Sequence, residues 1–107
     1  MVDATTINER VRDVVLDEEK VLRACAELLS CARSRTVTLL VTHIVKRAAG
    51  IGKRRVLLPP AYLSAARAHL RAHPVISDAQ HRTWVLVEEV VCKRSKLKYY
   101  RLRYARL

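Results

Sequence analysis

Residues 84–105 read WVLVEEVVCKRSKLKYYRLRYA, two β-prone runs on either side of a basic connector. Trp84 to Val91 is rich in β-branched and aromatic side chains, which suit a pleated, half-buried surface. Leu97 to Ala105 alternates, with Tyr100, Leu102 and Tyr104 on one side and Tyr99, Arg101 and Arg103 on the other. The two runs are therefore expected to form an antiparallel hairpin whose core face carries Tyr100, Leu102 and Tyr104, with Trp84 as a buried anchor. The connector Cys92-Lys93-Arg94-Ser95-Lys96 contains no Gly or Pro, so a turn longer than two residues is expected. Glu88 and Glu89 are adjacent on a strand and face opposite sides. One of them is expected to pair with Arg101 or Arg103 across the hairpin.

Upstream of the hairpin the apolar period changes from two to that of a helix. Asp17-Glu18-Glu19 supplies an N-cap and first-turn acids, and Val21, Leu22, Cys25, Leu28, Leu29 and Ala32 then recur on one face, with Arg33 and Arg35 placed to complement the C-terminal dipole. A second stripe, Val37, Leu40, Val41, Ile44, Val45 and Ala48, ends at Gly50, where a helix C-cap glycine belongs. Thr36 to Thr38 is β-prone, so the first residues of that stretch are open to a short strand instead. Pro60 fits the first turn of a third helix, whose alanine-rich run ends at His73-Pro74. On a helical wheel Leu63, Ala66 and Leu70 group together near Tyr62, while Ser64, Arg67, Ala68 and Arg71 face away. Ahead of all this, Thr6 and Glu9 fit a capping box, with Ile7, Val11, Val14 and Val15 at helical spacing behind it. Whether residues 6 to 33 make one bent helix or two is left open by the pattern.

At 107 residues, with 50% apolar and 29% charged side chains, the chain has the length and balance of one globular domain. Its net charge of +11 is unevenly placed: residues 1–27 carry seven acidic and four basic side chains, residues 28–107 three acidic and seventeen basic. Self-repulsion of this size is relieved by a polyanion, and nucleic acid is the leading partner. No apolar run approaches the ~20 residues that span a bilayer, and no signal-like stretch opens the chain, so no membrane association and a cytoplasmic location are expected, nucleoid-associated in a prokaryote. Three cysteines without paired spacing argue against a disulfide framework. Asn8 and Gln80 are the sole side-chain amides, a depletion that fits a thermophilic source, where intracellular disulfides do occur.

The order helix, helix, basic turn, helix, strand, basic loop, strand resembles the winged helix-turn-helix superfamily over roughly residues 17 to 105. The expectation is an α+β fold with a three-helix core and a C-terminal β-hairpin wing, residues 17–107 forming that domain and residues 1–16 an amphipathic N-terminal extension. In that superfamily the third helix enters the major groove and the hairpin tip touches the minor groove or phosphates. The resemblance therefore implies Ser64, Arg67 and Arg71 on the recognition helix, and Lys93, Arg94, Lys96 and Lys98 on or beside the wing. The link from Gly50 to Pro59 departs from the pattern by its length, and its Lys53-Arg54-Arg55 run adds a third cationic element.

The same residues have a chemical rationale. Arg and Lys release counterions on meeting phosphates, and Arg bonds guanine O6 and N7 bidentately. Arg67 and Arg71 are one helical turn apart, suited to following one groove edge. Tyr99, interleaved with Arg101 and Arg103, has the composition of a base-stacking platform. Against each assignment stands the plain alternative of a solvated, soluble surface, and the clustering of three basic elements decides between them. His69 and His73 are one turn apart, but no CxxC or HExxH-type spacing makes them a metal site. Cys25 is explained by packing, and Gly50-Ile51-Gly52-Lys53 lacks P-loop spacing. No catalytic triad or carboxylate pair is present, so neither an enzyme nor a cofactor is expected. The function expected is duplex-DNA binding by a transcription regulator or chromatin-type factor. RNA or ribosome association, and service as a protein-interaction module, are the alternatives. The N-terminal helices are the expected surface for a homodimer.

Overall fold

A computed structural model of the chain describes residues 16–51, 58–94 and 97–107. Over these residues the fold is α+β: helix α1 (Glu18–Ser30), strand β1 (Thr36–Leu40), helices α2 (Val41–Ala48) and α3 (Pro60–Ala72), then β2 (Val75–Ser77), β3 (Thr83–Arg94) and β4 (Leu97–Arg106). The four strands form one antiparallel sheet in the order β1-β4-β3-β2. The Thr6 capping box, the stripe Ile7 to Val15, the proposed dimer contact and the Lys53-Arg54-Arg55 run lie outside the described residues.

Helix α1 starts where its cap dictates. Asp17 is extended and its carboxylate accepts from the Lys20 N–H at 2.8 Å, satisfying one of the amides that a helix N-terminus leaves open. Helix α1 therefore begins at Glu18, and residues 6–15, on which the choice between one helix and two depends, lie outside the described residues. The helix also ends earlier than its apolar stripe implies, at Ser30, and neither Arg33 nor Arg35 falls in its last turn. The cation at that terminus comes from elsewhere in the chain: Arg82 donates to the Leu29, Ser30 and Ala32 carbonyls at 3.3, 3.0 and 3.3 Å.

Thr36 to Leu40 resolves to strand rather than helix, because β4 offers it a full ladder from Thr36↔Ala105 to Leu40↔Arg101. Val37 and Leu39 face the core and Thr36 and Thr38 the outside, a period of two that the helical reading of Val37 and Leu40 overlooked. Helix α2 then closes on Gly50. This residue is left-handed (φ 72°), the Gly50 N–H donates to the Arg47 carbonyl, and the Ile51 N–H to that of Lys46, the paired bonds of a Schellman cap.

Strand β2 had no signal in the sequence beyond a Val-Ile pair. It is recruited as an edge by β3, pairing Ile76 with Trp84. The hairpin pairs from Trp84↔Arg106 to Arg94↔Leu97, so Cys92, Lys93 and Arg94 of the expected connector belong to the strand instead. Each further rung satisfies backbone groups that a longer loop would leave to solvent. The ladder is interrupted once, between Leu86 and Glu88.

The core lies between the helices and one face of the sheet. Val21, Cys25 and Leu29 of α1, Ile44 and Val45 of α2, and Ala66 and Leu70 of α3 pack on Trp84, Leu102 and Tyr104. Burial of each large side chain contributes about 1.5–3 kcal/mol before the entropy of ordering it is set against that gain. Among the described residues the buried Tyr104 hydroxyl has no hydrogen-bond partner that satisfies it, and the Cys25 thiol is the polar group beside it. Burial pushes the thiol up to about 11 and the phenol well above its usual range.

Candidate nucleic-acid interface

Strand alternation divides the cationic residues of the hairpin between two surfaces. Tyr100 and Lys98 continue the core-facing row of Leu102 and Tyr104, while Tyr99, Arg101 and Arg103 occupy the opposite face. Across the ladder Lys93 is opposite Lys98, so these two exposed lysines share the side on which the helices pack. Arg94 closes the ladder, and Lys96 lies outside the described residues.

The irregularity between Leu86 and Glu88 determines what α3 meets. Leu86 is opposite Tyr104 and Glu88 opposite Arg103, which leaves Val87 as the extra residue of a β-bulge. Without it Glu88 would point to the helices and Glu89 away. With it, Glu89 turns toward α3 and Glu88 to the outer face, where it pairs with Arg103 at 3.4 Å. The sequence expectation that one of these acids engages Arg101 or Arg103 is realised by this pair.

Glu89 is the acid that organises α3. Its Oε1 accepts from Arg67 Nε at 2.5 Å and from Arg71 Nη2 at 3.0 Å, and its Oε2 accepts from Arg71 Nε at 2.8 Å. The Arg67 guanidinium also lies over the Tyr100 ring, 3.7 Å from its centroid. The Arg71 hydrogen bonds, aided by Arg67, hold the Glu89 carboxyl below its ordinary value against a smaller opposing effect of burial. The same pairing raises Arg71 further still.

The wheel reading of Arg67 as an outward residue is thereby corrected. Its side chain is 18% exposed, and it bridges α3 to the hairpin through Glu89 and Tyr100. A wheel reports the angle from the apolar stripe but not which further element lies alongside the helix. Arg71, one turn on, is 53% exposed and keeps the edge of its guanidinium that Glu89 does not use. Ser64 and its small neighbours Ala61 and Ala68 are exposed on the same helix. Arg71, Ser64, Lys93 and Lys98 thus remain accessible, while Arg101, Arg103 and the half-buried Tyr99 lie across the sheet.

His69 and His73 both meet Glu18, at 3.7 and 2.6 Å, tying the last turn of α3 to the first turn of α1. Among the described residues no group of three His, Cys, Asp or Glu side chains is arranged to hold a metal ion, and the three cysteines are free.

A second arginine–carboxylate cluster, Asp78 with Arg82, escaped the sequence reading. The buried Asp78 accepts from the Gln80 and Arg82 amides through Oδ1, at 2.8 and 2.9 Å, and from Arg82 Nε and Trp84 Nε1 through Oδ2, at 2.8 and 2.9 Å. Burial opposes its charge, but these donors outweigh that effect and hold the carboxyl well below the carboxylate range. A signal for both clusters was present: Asp78, Glu88 and Glu89 are the only acids after residue 27, and each one engages arginine. Neither family models, curated proteins nor solved structures yielded a match to the chain.

Proposed function

We propose that this protein binds nucleic acid, with duplex DNA as its partner, through the exposed side of α3 and the helix-facing side of the hairpin. The observation that carries this reading is that the exposed Arg71, held on Glu89, and the exposed Lys93–Lys98 pair lie on the same side of the hairpin, in a segment with fourteen more basic than acidic side chains. Three exposed cations on one side suit contact with phosphates, and small residues at Ala61, Ser64 and Ala68 let the α3 backbone approach a groove closely. The winged-helix reading is favoured by the element order, three helices completed by an antiparallel hairpin, with β1 inserted before the second helix and paired to β4. A DNA-binding regulator or chromatin-type factor is the role that fits.

The test is a competition between labelled duplex DNA, single-stranded DNA and structured RNA over a range of salt. Duplex DNA is expected to compete best, with log affinity falling linearly in log salt at about −0.9 per phosphate neutralised. Arg71→Ala or a Lys93→Ala/Lys98→Ala double change is expected to flatten that slope. Preference for structured RNA would replace duplex DNA with RNA as the partner. Absence of binding to any nucleic acid at moderate salt would leave a protein-interaction module as the reading.

A further inference from the structure

The surface just described contains one feature that simple phosphate binding does not call for, a carboxylate beneath its arginines. An acid beside a phosphate-binding cation weakens the attraction, and Glu89 is turned toward α3 only because of the bulge at Val87. We propose that Glu89 is a positioning residue for nucleic-acid recognition: it fixes the Arg71 guanidinium in one orientation and trades general phosphate affinity for discrimination between sequences. This rests on the nucleic-acid reading above.

The geometry carries the argument. Glu89 engages Arg71 through Nε and Nη2 together, the two-point contact that defines the plane of a guanidinium. The frame is itself held, since the other oxygen-sharing donor, Arg67, is stacked on Tyr100 and largely enclosed. Nη1 of Arg71 is directed away from this contact on a side chain that is 53% exposed. An arginine free in solvent adapts to any phosphate. One whose plane is set beforehand contacts a base edge or a particular phosphate geometry at a lower cost in ordering, and meets wrong partners badly. The charge balance agrees: Arg67, Arg71 and Glu89 together present one positive charge to a ligand rather than two.

The experiment compares wild type with Glu89→Gln and Glu89→Asp in the full chain. Each protein is titrated with a random-sequence duplex and with a duplex enriched by selection on the wild type, between about 50 and 200 mM salt. Glu89→Gln removes a charge from beneath the arginines. It is expected to bind random duplex more tightly, to steepen the salt slope by about one, and to lose roughly tenfold in preference for the selected duplex. Glu89→Asp keeps the charge but is one methylene short of the two-point contact. It is expected to keep the wild-type slope and still lose preference, and it provides the reading if Glu89→Gln fails to fold. Wild-type slope and preference in both folded variants would overturn the proposal and leave Glu89 as a structural clamp. If the wild type itself binds no duplex, the functional reading fails first, and the positioning role with it.

Discussion

Two arginine–carboxylate–aromatic clusters meet strand β3, one at its start and one at its middle, and they are built for different ends. In the first, Asp78, Arg82 and Trp84 close the loop between β2 and β3 onto the end of α1. Asp78 is 0% exposed at its side chain, both of its oxygens are taken up, and Arg82 turns both of its terminal nitrogens to three carbonyls at and just past the end of α1. In the second, Arg67 and Tyr100 are packed together as Arg82 and Trp84 are, but Arg71 reaches the same carboxylate from the solvent side. One cluster is saturated from within the molecule, the other leaves a guanidinium edge outward. Chemistry of the same kind serves to fasten the fold in one place and to present a cation in the other, and the number of unused donors is what distinguishes them.

Removing the saturated cluster should have the largest effect. Asp78→Ala strands the buried Trp84 N–H and Arg82 guanidinium without their acceptor, and thermal unfolding followed by circular dichroism is expected to show a Tm lower by about 10 °C or more. An unchanged Tm would erase the distinction between the clusters. The same carboxylate gives acid sensitivity. Because its folded value lies below the ordinary 3.8, its contribution is complete above that pH and is lost as the pH falls from there toward the folded value. The acid-induced fall in Tm should be shallower in Asp78→Ala.

The next effect separates two arginines of one helix. Arg67→Ala is expected to lower Tm by several degrees through loss of the Glu89 bond and the Tyr100 stack, whereas Arg71→Ala, on the solvent side, should leave Tm nearly unchanged and weaken duplex binding. Equal loss of stability in both would place Arg71 with the fastening cluster. At high pH the sign reverses from that of Asp78. The Cys25 thiol ionises at its ordinary 9.0 in the unfolded chain but at about 11 when folded, so stability is full below 9.0 and declines as pH rises through that interval. Cys25→Ala should remove part of that alkaline decline. The smallest change is expected on the outer face, where Arg103→Ala breaks an exposed pair with Glu88 and should shift stability by no more than about 0.5 kcal/mol.

Local chemistry in the sequence was enough for much of this architecture. Asp17 as an N-cap, Gly50 as a C-cap, Pro60 at a helix start and the alternation of Tyr100, Leu102 and Tyr104 depend on residues within a turn or a strand of each other, and each appears where its pattern places it. The net positive charge after residue 27 and its division over the alternating faces of β4 were legible for the same reason. Three decisions belonged to the tertiary structure. Thr36 to Leu40 became a strand because β4 was there to pair with it, and Arg82 rather than Arg33 or Arg35 reached the end of α1 because the β2–β3 loop folds against it. Arg67 turned inward because a one-residue bulge, far away in sequence, rotated Glu89 toward it. Periodicity reports which residues share a face; which partner that face meets is set by contacts between distant segments, whose long-range pairing no local pattern encodes.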